Sequence, residues 1–359
     1  MLMRRILLGL MALVVCGMLA AEEKGPDEPA ARQADGTEVR ITFPSANAHL
    51  PYVERCGLIG AVIRGETEIA VNGVPVSVYR TGAWATSVEV TEGTNVVEIS
   101  GLRRFRDGAW HDEPWYTNHC FVVAAKPETK AVTNTAPVVI RQKEYPPLPY
   151  AGTAPGPFAP GRRPEQILVV LDPGHGGKDV GSISPHGFFE KDANLLLAKA
   201  VRRELEALGY RVAMTREGDS FPELYDRPKL AHARHADAFI SIHHNAPALT
   251  RNPADVRYSS VYAWNPLGER LARALGDELG KATGGSPVCK GALRASYAVT
   301  RNPEIPSCLI EADFVTSPAG EEAIWNGERR RVLAQAIARG FAAWCAAEPE
   351  LRKTVKNEP

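Results

Sequence analysis

The stretch Ile167-Leu168-Val169-Val170-Leu171 runs directly into Asp172-Pro173-Gly174-His175-Gly176-Gly177, and this junction decides the fold of the second half of the chain. The first five residues are apolar on both faces, which indicates a strand that is covered on both sides. Ala238-Phe239-Ile240-Ser241-Ile242 and Cys308-Leu309-Ile310 repeat the pattern, with helical segments between the runs. We therefore predict an α/β fold, with a mostly parallel (mixed) sheet covered by helices on both faces.

Four side chains with metal or acid–base chemistry stand at defined places in this pattern. His175, His243 and Glu311 lie at or just after the three strands, and side chains at the carboxyl ends of parallel strands gather at one edge of the sheet. Glu190 opens a segment with apolar residues at helical spacing, which we expect to end at Gly209. Two histidines and one carboxylate leave a zinc ion one open position, and a second carboxylate is what such a site needs to activate water.

The histidine pair at the end of the second strand contains one candidate ligand. Successive strand residues point to opposite faces, so only one of His243 and His244 can readily join His175. The glycines that flank His175 allow a tight turn and a close approach of the backbone to a metal or substrate.

These motifs resemble one family of cell-wall hydrolases, the zinc-dependent N-acetylmuramoyl-L-alanine amidases of the amidase_3 group. The resemblance covers about half of the chain, roughly residues 166 to 345, and its motifs occur in the family's order. They are residues 171–177 with Asp179 and Gly181; Glu190-Lys191-Asp192 with Asn194-Leu195; Thr215-Arg216, Arg227 and residues 236–243; and residues 305–311 with Phe314-Val315-Thr316-Ser317.

The resemblance implies a role for each candidate residue. His175, Glu190 and His243 would hold zinc (Zn2+), and Glu311 would act as the general base. Because the family match selects His243 as the ligand, His244 becomes a residue of the cleft wall or a support behind the ligands, and we assign it, with Arg301, to substrate binding.

The reaction implied by the family is zinc-dependent hydrolysis of the amide bond between N-acetylmuramic acid and L-alanine in peptidoglycan. Without the resemblance, the residues indicate only a zinc enzyme that hydrolyses an amide or a similar bond. Two alternatives stay open: another zinc-dependent peptidase or carboxypeptidase acting on wall peptides, and a non-catalytic wall-binding module. The presence of all four site residues argues against the second alternative.

The first residues predict export. Arg4-Arg5, the apolar stretch that follows and the small residues Ala20-Ala21 are typical of a signal peptide over residues 1–21. We therefore expect an exported protein of the periplasm or cell envelope, with no transmembrane helix in the mature chain. Cys16 suggests a lipoprotein as an alternative, but the bulky Val15 before it disfavours this.

Residues 38–125 predict an immunoglobulin-like β-sandwich. Short alternating strands and the hairpin signal Asn72-Gly73 support it. The module is either a spacer or a contact to the wall or to another protein, and Trp84, Trp110 and Trp115 form either a saccharide-stacking face or core packing. An oxidising compartment permits, but does not require, a disulfide between Cys56 and Cys120.

The remaining segments follow from composition and charge. A proline-rich linker is predicted over residues 126–163, the catalytic domain over 164–347 and a flexible tail over 348–359. Lys and Arg total 42, as do Asp and Glu, so the chain has no general electrostatic attraction to nucleic acid. The expected partner is peptidoglycan, bound through local sites.

Overall fold

A computed structural model of the chain describes residues 31–32, 38–64, 66–106, 110–127, 162–302 and 304–355. The predicted signal peptide, most of the predicted linker and the last four residues of the predicted tail lie outside these ranges. Among the described helices, none is both long enough and apolar enough to cross a membrane.

The N-terminal half of the described chain is built from strands. They are β1 (Ala31–Arg32), β2 (Glu38–Phe43), β3 (His49–Leu50), β4 (Arg55–Arg64), β5 (Glu66–Val71), β6 (Val74–Val76), β7 (Ala83–Glu89), β8 (Gly93–Arg106) and β9 (Trp110–Val123). One sheet has the strand order β1-β2-β4-β7 and the other the order β3-β9-β8-β5-β6. Buried apolar residues of both sheets form one common core, as two sheets packed face to face require.

Three sequence predictions bear on this half. Asn72 and Gly73 both have positive φ between β5 and β6, which confirms the hairpin turn. Trp84 is fully buried in the core and cannot stack on a saccharide, while the side chains of Trp110 and Trp115 lie outside the described part. Cys56 and Cys120 are both free thiols. The likeness to immunoglobulin modules stays a prediction.

The C-terminal half forms a mixed sheet with the order β11-β10-β12-β15-β13-β14. Its elements are β10 (Leu168–Pro173), α1 (Glu190–Ala207), β11 (Arg211–Met214), α2 (Asp226–Ala233), β12 (Ala238–Asn245), β13 (Tyr258–Ala263), α3 (Pro266–Thr283), β14 (Val288–Arg294), β15 (Ser307–Phe314), α4 (Pro318–Trp325) and α5 (Gly327–Val355). β13 is antiparallel to β15, and the other neighbouring pairs are parallel. The predicted fold class is confirmed.

Helices cover both faces of this sheet because its inner strands are apolar on both sides. Val169 and Ile240 face a cluster that includes Leu275 of α3 and Phe341 of α5. Leu168 and its neighbours face a second cluster under α2 and the turn at residues 298–300. The last helix, α5, runs to Val355 and so continues past the domain end predicted at residue 347.

Candidate metal centre

The loop after β10 holds His175 in an unusual backbone conformation. His175 has φ of 60°, in the left-handed region that residues with a side chain seldom adopt. The backbone groups of Gly176 and Asp179 hydrogen-bond each other in both directions, which closes the loop just beyond His175. Such strain persists only where the surrounding structure enforces it, and it is concentrated at functional sites.

Two buried arginines enforce this conformation. The Arg216 guanidinium donates to the carbonyls of Pro173 at 3.0 Å and Gly174 at 2.8 Å. Arg227 donates to the carbonyl of His175 at 2.8 Å and to Asp172 Oδ1 at 2.9 Å. Both arginines belong to the motifs that suggested the family, but no feature of the sequence assigns them this role.

Glu190 is the first residue of α1, as predicted, and its carboxylate is buried. Its Oε1 lies 3.1 Å from His175 Nε2 and 3.1 Å from His243 Nδ1. Its Oε2 accepts a hydrogen bond from the backbone N–H of Ser182 at 3.0 Å. Burial alone would raise the pKa of Glu190, but the two histidines lower it well below its usual value, so the group is an anion.

His243 lies near the carboxyl end of β12, and one glycine makes room for its ring. A Cβ on Gly174 would lie 2.1 Å from both Cε1 and Nε2 of His243, much closer than atoms can pack. Gly181 plays the same part for the other ligands, since a Cβ there would lie 2.7 Å from Glu190 Oε2 and from His175 Cδ2. Glycine is required at both positions for the three side chains to meet.

His175, Glu190 and His243 therefore form a group that can hold a metal ion, with ligand atoms within 4.8 Å of one another. The Nδ1 of His175 lies 2.8 Å from Asp179 Oδ2, which leaves Nε2 to face the centre. A carboxylate behind a ligating histidine is the usual way of fixing its orientation. The exposed fractions of the His175 and His243 side chains are 24% and 19%, so the group is open to solvent.

The electrostatics of His175 also suit a cation. Burial lowers the pKa of its ring, but the hydrogen bond and charge of Glu190, with those of Asp179, outweigh burial and raise the pKa to about 9. A position that binds a proton this strongly beside a buried carboxylate is one where a metal cation can replace the proton. The residues thus fit a divalent metal with nitrogen and oxygen ligands.

Glu311 is fixed next to this group by strand pairing. β12 and β15 are parallel neighbours, and His243 and Glu311 are paired residues in their register. The exposed fraction of Glu311 is 8%, and its Oε2 has no hydrogen-bond partner among the described residues. Burial raises the pKa of Glu311 to about 7, opposed by His243 and reinforced by Glu190.

Ser260 is a neighbour of Glu311 that sequence reasoning missed. It faces Glu311 in the antiparallel register of β13 and β15, and its buried hydroxyl has no partner among the described residues. A serine within a strand does not reveal from the sequence alone that it lies opposite a glutamate of the site.

His244 lies behind the metal ligands, which is one of the two places expected for it, and its assignment to substrate binding stays a prediction. Its exposed fraction is 4%, and its Nδ1 lies 2.8 Å from Asn194 Oδ1. Asn194 in turn donates to Glu190 Oε1 at 3.2 Å. Burial lowers the pKa of His244 to about 4, so the ring is neutral, and it supports Glu190 from behind because strand alternation turns it away from His243.

Arg301 is exposed at the end of the 298–300 turn, where it donates to the carbonyl of Ser296 at 3.0 Å. Its contact with a substrate stays a prediction.

Asp313 is buried in a two-pronged ion pair with Arg257, at 2.8 and 2.7 Å, and so supports the end of β15.

Comparison with known proteins places this site in a family. The sequence model of the family described as N-acetylmuramoyl-L-alanine amidase (Amidase_3) matches residues 169–343, which include all four site residues. The chain is 33% identical over 222 residues to the N-acetylmuramoyl-L-alanine amidase AmiA of Escherichia coli, covering 49% of this chain and 75% of AmiA. The chain therefore belongs to the N-acetylmuramoyl-L-alanine amidase family.

Two further known proteins also match about half of this chain. The chain is 36% identical over 233 residues to the amidase AmiC of Neisseria meningitidis, covering 52% of this chain and 54% of AmiC. It thus spans about half the length of that relative. Among solved structures, the N-acetylmuramoyl-L-alanine amidase AmiC2 of Nostoc punctiforme matches 50% of this chain and 97% of its own, with 34% identity and a TM-score of 0.47.

Proposed function

We propose that this chain is a zinc-dependent enzyme that hydrolyses the amide bond between N-acetylmuramic acid and L-alanine in peptidoglycan. The observation that carries the proposal is the His175–Glu190–His243 group, with the unpartnered carboxylate oxygen of Glu311 beside it. Family membership supplies the substrate. A wall substrate in turn supports an exported protein of the periplasm or cell envelope.

Zinc is the metal that the donor set favours. Two imidazole nitrogens and one carboxylate oxygen are a common protein set for catalytic zinc, which keeps a further position open. When bound, the ion would polarise the scissile carbonyl and lower the pKa of a water molecule toward about 7.

The protein's own groups manage the protons. Glu311 takes a proton from the attacking water while the water oxygen bonds to the carbonyl carbon of the scissile amide. It then delivers this proton to the amide nitrogen as the C–N bond breaks. This second transfer is needed because an amide anion is a very poor leaving group. The products are the lactyl carboxylate of the muramic acid and a peptide with a free L-alanine amino terminus.

The two alternative functions fare differently. A metal site of this kind does not by itself separate an amidase from a wall carboxypeptidase, so family membership decides in favour of the amidase. A binding module without catalysis is disfavoured because no member of the site is missing and Glu311 is placed beside the metal group.

One experiment tests the proposal. Purified peptidoglycan is digested with the protein, the products are identified by mass spectrometry and zinc is measured by elemental analysis. We expect sugar-free peptides with L-alanine amino termini and about one zinc per chain. His175→Ala should lose both zinc and activity, whereas His232→Ala, which replaces a partly exposed histidine on the surface, should keep both.

Glu311→Gln separates the base from the ligands. It should keep zinc and lose about 10²–10⁴-fold in turnover, because only proton transfer is removed. In the digest by the unmodified protein, release of D-alanine instead of whole peptides would support the carboxypeptidase alternative. Loss of zinc from Glu311→Gln would make Glu311 a ligand and contradict the assignment.

A further inference from the structure

The segment that leads into Glu190 is a hairpin whose base holds this metal ligand. The backbone N–H of Glu190 donates to the carbonyl of Ser182 at 2.9 Å, and the N–H of Ser182 donates to Glu190 Oε2 at 3.0 Å. Closer to the tip, Ile183 and Phe189 form an antiparallel bridge. We call residues 182–190 the ligand hairpin. Because its two arms are bonded to each other, a displacement of its tip also displaces Glu190.

The tip of the ligand hairpin, residues 184–187, is held by Glu321 of α4. Glu321 is buried, and its Oε1 accepts hydrogen bonds from the Ser184 hydroxyl at 2.5 Å and from the backbone N–H of His186 at 2.9 Å. Its Oε2 lies 2.8 Å from His186 Nδ1. Three contacts with one buried carboxylate fix the tip relative to the α/β sheet, since α4 follows β15 after a short turn.

The N-terminal sheets hold the same tip through β2. Side chains alternate along this strand, so Ile41 points into the core of the N-terminal sheets while Arg40 and Thr42 point outward. The Thr42 hydroxyl donates to the carbonyl of Pro185 at 2.5 Å, and the Arg40 guanidinium donates to the carbonyl of His186 at 3.2 Å. Both outward side chains of β2 therefore bond the backbone of the hairpin tip.

The His186 ring joins the two supports of the tip. Besides its contact with Glu321, the ring hydrogen-bonds the backbone of Thr81, which lies in the segment between β6 and β7. Arg80 of the same segment forms an ion pair with Glu322, the residue after Glu321. The contact at the tip therefore includes the hairpin, α4 and two segments of the N-terminal sheets.

A separate contact keeps the two halves of the chain in a fixed relation. The backbone N–H of Gly57 donates to the carbonyl of Leu249 at 2.7 Å, and a Cβ on Gly57 would lie 2.6 Å from the carbonyl oxygen of Arg251. This loop follows β12, the strand that carries His243. The N-terminal sheets thus contact the segment before Glu190 and the segment after His243, and they are more than a spacer.

We propose that the N-terminal sheets are a structural part of the metal centre, in which Arg40 and Thr42 are positioning residues: they hold the tip of the ligand hairpin beside Glu321 and thereby fix Glu190 for the metal. The physical reason is the small tolerance of such a site. A ligand must be held to within about 0.5 Å of its productive position by neighbours that are themselves fixed. This inference rests on the metal site of the proposed function, but not on its substrate.

The first test measures the zinc affinity of the full-length protein by competition with a chelator. Thr42→Val removes the hydroxyl at nearly the same shape, and Arg40→Met keeps the apolar stem but removes the guanidinium. The double variant should lose about tenfold in zinc affinity, since removal of a direct partner of a ligand costs about 10–100-fold and these residues act one step further away. Thr42→Ser keeps the hydroxyl and should bind zinc as the parent does.

Hydrogen exchange of the metal-free protein tests the same contacts without zinc. The amides of Ser182 and Glu190 at the base of the hairpin should exchange about threefold to tenfold faster in the double variant, because hydrogen bonds that hold the tip are lost. The amides of β10 report global unfolding of the α/β half, so the ratio of the two rates removes any general loss of stability.

Arg55→Met is the matched control on the N-terminal sheets. Arg55 is exposed, and it donates to Ser87 Oγ at 2.8 Å within the same half of the chain. This variant should keep the zinc affinity and the hairpin exchange of the parent. An equal loss of zinc affinity in Arg55→Met and in the double variant would overturn the inference, as would a double variant that matches the parent in both measurements. A loss in Thr42→Ser as large as in Thr42→Val would contradict the role of the hydroxyl.

Failure of the proposed function has a different signature. A parent protein that binds zinc but does not cleave the muramyl amide, with weaker zinc binding and faster hairpin exchange in the double variant, supports the positioning role and contradicts the function. Cleavage of that amide by the parent, with zinc affinity and hairpin exchange unchanged in the double variant, supports the function and overturns the positioning role.

Discussion

Gly174→Ala adds a single methyl group and should disable the metal centre. The added Cβ would lie 2.1 Å from Cε1 and Nε2 of His243, whereas carbon atoms pack at about 3.5 Å, so the ring must move by roughly 1.4 Å. Zinc–nitrogen distances tolerate about 0.2 Å, which is several times less than this displacement. Disturbing only a group behind a ligand already costs about 10–100-fold in metal affinity. We therefore expect a loss of at least about 100-fold, or about 2.8 kcal/mol.

The assay is competition for zinc against a chelator of known affinity, followed by calorimetry on the metal-free protein. Gly218→Ala is the matched control, because a Cβ there meets nothing within 4 Å in a nearby loop. Its zinc affinity should equal that of the parent. If Gly174→Ala binds zinc as tightly as Gly218→Ala, either the ring of His243 does not occupy this place or it is not a ligand.

Three further predictions follow from other contacts. Asp179→Ala should weaken zinc binding by about 10–100-fold in the same competition assay, because it frees the His175 ring; an unchanged affinity would contradict the orienting role. Because the hydrogen bond that the His186 ring donates to the Glu321 carboxylate raises the pKa of His186, the stabilisation it provides is complete below about pH 6.5 and is lost as pH rises through the raised pKa. The difference in unfolding free energy between the parent and His186→Gln should therefore shrink with rising pH, and a constant or growing difference would refute this. Leu275→Ala should destabilise the protein by about 2–5 kcal/mol in urea unfolding, because the side chain is fully buried; a cost under about 1 kcal/mol would show that the site is poorly packed.

The fold of the second half could be predicted because its signals are local. Residues 168–171 of β10 and the runs in β12 and β15 are apolar on both faces, which is the mark of covered parallel strands. The helix that begins at Glu190 and the positive φ of Gly209 after it were visible in the same way. The antiparallel placement of β13 was not, since strand direction depends on contacts distant in sequence.

The site was predictable as far as its four principal residues, and less so beyond them. His175, Glu190, His243 and Glu311 stand at positions that motif and strand pattern both select. For His244, strand alternation shows which face the side chain takes but not how deeply that face is buried, so the sequence left open whether the residue lines the cleft or supports the ligands from behind.

The contacts between the two halves left no trace in the sequence. Gly57 looks like any other glycine in a strand until the loop at residues 249–251 is seen to lie against it: its backbone N–H donates to the carbonyl of Leu249 at 2.7 Å, and a Cβ there would lie 2.6 Å from the carbonyl oxygen of Arg251. The close approach needs a glycine at position 57, but glycines in strands have several causes, and no single sequence separates them.

The register of β12 and β15 has a consequence for how activity is acquired. His243 and Glu311 are opposed because their strands hydrogen-bond in one alignment. A slip by one residue would turn the whole of β15 over and send the glutamate to the far side of the sheet. The spacing between Glu311 and His243 is therefore set once, when the central strands assemble, and a chain with these strands correctly aligned already holds Glu311 beside the metal group before any metal arrives.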